Sequence, residues 1–163
     1  MNVNQQKLPI NILLADDDLD DRIFFDKAIK EIPVNTTLST VNNGEELMEY
    51  LTKNVNMLPD VLFLDLSMPR KTGFECLAEI KENERLKALP VIMFTTSFTR
   101  GIDLEENLKI TLSRMGSRDY IRKPGDFEEY KSVIHQALIK VMEKLNPGQY
   151  MPEGSLDKPV TTP

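Results

Sequence analysis

Cysteine, lysine-rich stretches and long apolar runs are scarce in this chain of 163 residues. Its one cysteine, Cys76, rules out an internal disulfide and suits a reducing compartment. No apolar run approaches the roughly 18–20 residues that a membrane-spanning helix needs. Met1 to Lys7 also lacks the long apolar stretch of a secretory signal. Lys and Arg total 20 against 26 Asp and Glu, leaving a net charge of −6, which argues against unaided nucleic-acid binding. Internal repeats are absent. With 40% hydrophobic and 28% charged residues, the composition is that of an ordinary soluble domain, expected in the cytoplasm.

What is present is an alternation of two patterns. Short apolar runs read as strands buried on both faces of a parallel sheet: Ile10 to Ala15, Val61 to Leu64 and Val91 to Phe94. Thr37 to Val41 is a shorter β-branched strand, and Asp119 to Arg122 a brief fifth. Between them lie helical stripes. The first carries Ile23, Phe24, Ala28, Ile29 and Ile32 and closes at Pro33. The second spans Glu45 to Lys53 with Leu47, Met48 and Leu51 inward, and the third carries Phe74, Leu77, Ala78 and Ile80. A fourth carries Leu104, Leu108, Leu112 and Met115 and stops at Gly116. The last carries Val133, Ile134, Ala137, Leu138, Val141 and Leu145. This βα order, repeated five times, predicts an α/β fold: a five-stranded parallel sheet, doubly wound and flavodoxin-like, flanked by five helices. Residues 1–7 read as a flexible N-terminus, 8–145 as the folded domain and 146–163, rich in Pro and Gly, as a disordered tail.

The chemistry gathers where the strands end. The first strand runs into Asp16-Asp17-Asp18, the third into Asp65, the fourth into Thr95, and the fifth into Lys123. In a doubly wound sheet these ends share one edge, where such folds bind ligands. Crowded carboxylates repel unless a cation or proton sits among them. An oxygen-rich, partly watery edge is the ligand set that Mg²⁺ prefers. An Asp can also act as a nucleophile and carry a phosphoryl group. Lys123 and the Thr95 hydroxyl would then neutralise and hydrogen-bond that group. Asp18, Asp20 and Asp21 read instead as capping and first-turn charges of the following helix.

These pieces together resemble the receiver domain of bacterial two-component response regulators, of the single-domain, chemotaxis-regulator type. The matching segments are Ile12-Leu13-Leu14-Ala15-Asp16-Asp17, Leu62 to Pro69, Gly73, Pro90 to Thr95, and Tyr120-Ile121-Arg122-Lys123-Pro124. The resemblance implies that Asp65 is the phosphoacceptor. It implies Mg²⁺ held by Asp17 and Asp65, by the backbone carbonyl of Ser67, and by Asp16 mainly through water. Thr95 and Lys123 would contact the phosphoryl group, and Tyr120 would be a rotamer switch that moves inward with Thr95. A cis bond between Lys123 and Pro124 is implied by the same analogy. So are a sensor histidine kinase or histidine phosphotransfer protein as donor, a downstream protein partner, and a homodimer through the fourth and fifth βα units.

One departure stands out. The stretch between Thr95 and Tyr120 is longer than the usual family pattern, with the extra length near Phe98 to Asn107. A turnover phosphatase of the haloacid-dehalogenase type would want a second Asp where Ser67 stands, and its acidic pair late in the chain. A receiver-like partner protein that is never phosphorylated would not need the full set of site residues. A DNA-binding output domain would need more basic sequence than follows Leu145. His135 reads as a partly exposed helix residue rather than a phosphorelay histidine, and Cys76 as a small core residue.

Overall fold

The expected alternation is realised element by element. The computed structural model describes residues 8–96 and 102–145. In chain order the elements are β1 (Ile10–Ala15), α1 (Leu19–Glu31), β2 (Thr36–Val41), α2 (Gly44–Lys53) and β3 (Val61–Leu64). There follow α3 (Gly73–Glu82), β4 (Val91–Thr95), α4 (Ile102–Arg114), β5 (Asp119–Arg122) and α5 (Phe127–Leu145). The five strands form one parallel sheet in the order β2-β1-β3-β4-β5. The strand order reverses between β1 and β3, which makes that junction the place where a ligand crevice opens.

Because successive strand residues face opposite sides, the sheet divides its apolar side chains between two layers. Ile12 and Leu14 of β1, Val61 and Phe63 of β3, and Ile92 and Phe94 of β4 face α1 and α5. Leu13 and Ala15, Leu62 and Leu64, and Val91 and Met93 face α2, α3 and Leu112 of α4. The first layer is aromatic at its centre: Phe25, Phe63, Phe94 and Tyr130 meet edge to face at 5.1–5.8 Å. Such pairs add to what area burial alone supplies.

Helix ends follow their capping chemistry. Asp18, Asn43 and Thr72 each accept a backbone N–H three residues on, from Asp21, Glu46 and Glu75. Beyond α4, Gly116 takes φ 106°, and Ser117 N–H reaches back to the Leu112 carbonyl at 3.0 Å. This left-handed closure favours glycine because a side chain there is strained.

Three apolar positions differ from the sequence reading. Ile23 is exposed and Phe25 is fully buried in its place. Leu104 also faces outward, and Leu145 lies at the exposed end of α5. In Ile23-Phe24-Phe25 three consecutive apolar residues leave the phase of the stripe undetermined by spacing, and packing against Phe63 and Phe94 selects Phe25. The expectations for residues 1–7 and 146–163, and for part of the longer segment beginning at Phe98, lie outside the described residues.

Candidate functional site

The sheet ladder continues one residue past each strand and so places the polar side chains. Asp16 N–H donates to the Val41 carbonyl at 3.1 Å, Asp65 N–H to Ala15 at 3.0 Å, and Lys123 N–H to Thr95 at 2.8 Å. Among the described residues, the buried polar or charged ones are Asp16, Asp65 and Thr95, and all three are at this edge. Asp17 beside them is exposed. Carboxylate oxygens of Asp16, Asp17 and Asp65 lie within 4.8 Å of one another.

Glycine makes the far wall possible. A Cβ on Gly73 would stand 2.2 Å from the Asp65 carbonyl oxygen, so only glycine lets α3 start this close to the site. Gly73 N–H closes the intervening loop on the Leu66 carbonyl at 3.0 Å. Arg70, in that loop, is held at φ 68° and pairs with Glu45 of α2 at 3.3 Å. A non-glycine residue in the left-handed region marks local backbone strain beside the site.

Hydrogen bonds orient the individual groups. The Thr95 hydroxyl donates to Asp65 Oδ1 at 2.8 Å, and Ser67 N–H reaches the same oxygen at 3.3 Å. Lys123 Nζ donates to Asp16 Oδ2 at 2.6 Å and stands 3.8 Å from Asp65 Oδ2. The other Asp16 oxygen accepts Asp18 N–H at 2.9 Å, while Arg22 binds the Asp16 carbonyl at 2.9 Å. Two groups here were missed from sequence. Asp21 accepts a hydrogen bond from Lys123 at 3.0 Å, and Arg22 is drawn to the Asp16 backbone. The acidic run flagged the neighbourhood, but nothing in its spacing distinguishes Asp21 from Asp20. Asp18 caps α1 as expected.

Three carboxylates, of Asp16, Asp21 and Asp65, surround one ammonium, and the electrostatics follow. Burial pushes Asp16 and Asp65 above the ordinary carboxyl value, with Lys123 and hydrogen-bond donors pulling the other way. Burial works against the Lys123 charge, yet Asp65, Asp16 and Asp21 outweigh it and hold the ammonium above its usual value. The surplus is negative, and the donors on offer are hard carboxylate oxygens. That combination fits a hard divalent cation better than a soft one.

The chain matches the response regulator receiver domain model over residues 12–135. It belongs to the response regulator receiver family.

The receiver is 28% identical over 131 residues to the probable methanogenesis regulatory protein FilR2 of Methanothrix harundinacea, covering 78% of this chain and 81% of that protein. It is 32% identical over 115 residues to the response regulator Rcp1 of Synechocystis sp., covering 65% of this chain and 78% of Rcp1. The Mn²⁺-bound structure of Rcp1 superimposes with a TM-score of 0.68 at 26% identity, covering 88% of this chain and 99% of that one. The phosphorylated cyanobacterial phytochrome response regulator RcpA gives 0.69 at 26% identity, covering 88% and 98%. Against longer relatives the receiver spans only a part, 15% of the sensor histidine kinase CheAY of Helicobacter pylori. Receivers are signalling modules of two-component systems, and no helix among the described residues is long and apolar enough to cross a membrane.

No cis peptide bond occurs among the described residues, so Lys123–Pro124 is trans. Either isomer is accessible at an X–Pro bond, trans being favoured by about 0.5–1 kcal/mol. Here the Lys123 N–H bond to Thr95 already anchors the turn. Met68, three residues beyond Asp65, packs into the same core layer as Cys76, Leu77 and Ile80 of α3. Tyr120 is half-buried against the same layer, with Lys109 Nζ 5.7 Å from its ring centroid. Cys76 is fully buried, its Sγ 3.7 Å from the Gly44 carbonyl, and burial pushes the thiol up to about 12, leaving it protonated at neutral pH.

Proposed function

We propose that this receiver accepts a phosphoryl group on Asp65 from the phosphohistidine of a sensor histidine kinase or histidine phosphotransfer protein. The observation that carries this reading is the convergence of the buried polar residues among those described, Asp16, Asp65 and Thr95, with Lys123 on one crevice. Both Asp65 oxygens have assignable roles. Oδ1 is held by Thr95 and Ser67, while Oδ2 lies beyond hydrogen-bond distance of Lys123 and is the one available to attack. In the transfer an Asp65 oxygen bonds to phosphorus as the phosphohistidine N–P bond breaks. The electron pair returns to the imidazole nitrogen, which takes a proton from solvent.

Mg²⁺ is the expected cofactor, held by Asp17, Asp65, the Ser67 carbonyl and, through water, Asp16. When bound it supplies positive charge between the carboxylates and the phosphoryl oxygens. The Mn²⁺-bound form of Rcp1 and the phosphorylated form of RcpA support both parts of the reading. Lys123 then pairs with the phosphoryl group, Thr95 donates its hydroxyl to it, and Tyr120 follows Thr95 inward. The phosphoryl group favours one of two states by these differential contacts. The signal leaves by protein–protein contact, for which Leu104 and Ile110 on α4 offer exposed apolar surface to a partner or a second copy. The domain comprises residues 8–145, acts in the cytoplasm, and catalyses only its own phosphorylation and dephosphorylation.

The test is intact-mass measurement after incubation with Mg²⁺ and a small acyl-phosphate donor. One base-labile phosphoryl adduct is expected, absent in Asp65→Asn and in excess chelator. Undiminished labelling in Asp65→Asn would refute the assignment of the acceptor.

A further inference from the structure

An ammonium has three N–H donors, and two of those on Lys123 have fixed partners. They go to Asp16 Oδ2 at 2.6 Å and Asp21 Oδ2 at 3.0 Å, while Asp65 Oδ2 waits at 3.8 Å. The Lys123 side chain is 5% exposed, so water has little access to the third donor. Below it lies the Phe94 ring, its centroid 5.5 Å from Nζ, fixed edge to face by Phe25, Phe63 and Tyr130. Asp21 stands outside the three-carboxylate cluster. It enters from the first turn of α1, its own N–H held by the Asp18 cap at 3.1 Å.

We propose that Asp21 is a positioning residue that turns Lys123 so that its remaining donor faces a phosphoryl group on Asp65. The proposal rests on the reading of Asp65 as phosphoacceptor. With Asp16 alone, a compact ammonium on a flexible stem could meet its partner in several rotations. A second carboxylate, delivered from a capped helix turn, removes that freedom before the ligand arrives, and preorganisation of this kind is realised as affinity. A first-turn acid also stabilises its helix, but that effect alone would leave ligand affinity unchanged.

The test is calorimetric titration of the full chain with beryllofluoride, a phosphoryl mimic, at saturating Mg²⁺, alongside titration with Mg²⁺ alone. Asp21→Ala is expected to weaken beryllofluoride binding about five- to tenfold, the scale of one charge-assisted hydrogen bond at a partly exposed site. Asp21→Asn, which keeps an acceptor, should fall between, and Mg²⁺ affinity should stay within about twofold. In a Lys123→Ala background, Asp21→Ala should cost nothing further. Unchanged beryllofluoride affinity in Asp21→Ala overturns the proposal, even with a lower melting temperature. An equal loss in the Lys123→Ala background overturns it as well. Should Lys123→Ala fail to fold, the Ala and Asn variants of Asp21 decide alone. Binding that persists in Asp65→Asn would instead overturn the phosphoacceptor reading, and the role of Asp21 with it.

Discussion

The two edges of the sheet are built from the same strands and solve the same problem differently. At the edge where the strands begin, polar groups are satisfied locally and near solvent. Asn11 N–H meets the Asp60 carboxylate at 2.8 Å, Arg118 N–H the Val91 carbonyl at 2.8 Å, and the Lys81 ammonium the carbonyls of Lys87 and Leu89 at 3.0 and 2.8 Å. The partly buried Lys81 ammonium has only carbonyl partners, and burial lowers its hold on the proton, but no carboxylate among the described residues is buried at this edge. At the edge where the strands end, Asp16 and Asp65 are buried, and one lysine serves three carboxylates. Buried charge is costly even when paired. The first edge closes without a buried carboxylate, so the pair of them at the second edge reflects a task rather than a structural need.

That contrast can be broken in three ways, taken in order of size. A divalent cation should stabilise only the carboxylate edge. With Mg²⁺ at a hundred times its dissociation constant, linkage gives about 2.7 kcal/mol, read as a rise of several degrees in melting temperature. The rise should vanish in Asp65→Asn and survive in Asp60→Ala. A Mg²⁺ effect that survives Asp65→Asn would place the cation elsewhere.

Next, removing charge should help one edge in the metal-free protein. Asp65→Asn is expected to raise stability at pH 7 by on the order of 1–3 kcal/mol, the scale of a poorly compensated buried polar group. The sign with pH follows from its raised folded-state value. Ionising Asp65 costs the folded protein stability above that value, and the cost disappears as pH falls to the ordinary carboxyl value of 3.8. The advantage of the variant should therefore be constant above the raised folded-state value and shrink below it, vanishing as pH falls past 3.8 in thermal melts. An advantage independent of pH would mean that charge is not its source.

The smallest effect belongs to the other edge. Asp60→Ala removes one exposed side-chain acceptor and should cost about 0.5–1.5 kcal/mol, with phosphoryl labelling unchanged. A labelling defect in Asp60→Ala would mean that the two edges are coupled after all.

The same contrast explains how much was legible in the sequence. Strand runs and their terminal acids are contiguous in the chain, so β1 with Asp16 and Asp17, β3 with Asp65, β4 with Thr95 and β5 with Lys123 could be read directly. The parallel fold then brings those ends together without further information. What escaped depends on side-chain reach and packing. Asp21 matters because Lys123, distant in sequence, extends to it across the edge. Phe25 displaces Ile23 from the core because an aromatic cluster between α1 and the sheet accepts it, which helical spacing alone does not encode. Leu104 fits an apolar stripe by position but faces outward, since α4 presents Leu112 to the core instead. The trans bond at Lys123–Pro124 likewise depends on turn geometry rather than on the presence of the proline.

The most direct test of the central claim locates the phosphoryl group itself. Borohydride reduces an acyl phosphate to an alcohol, converting a phosphorylated Asp to homoserine that peptide mass mapping can place. After Mg²⁺-dependent labelling and reduction, homoserine is expected at position 65 and at no other Asp. Homoserine at Asp16 or Asp17, or none at all after confirmed labelling, would contradict the assignment of Asp65 as the acceptor.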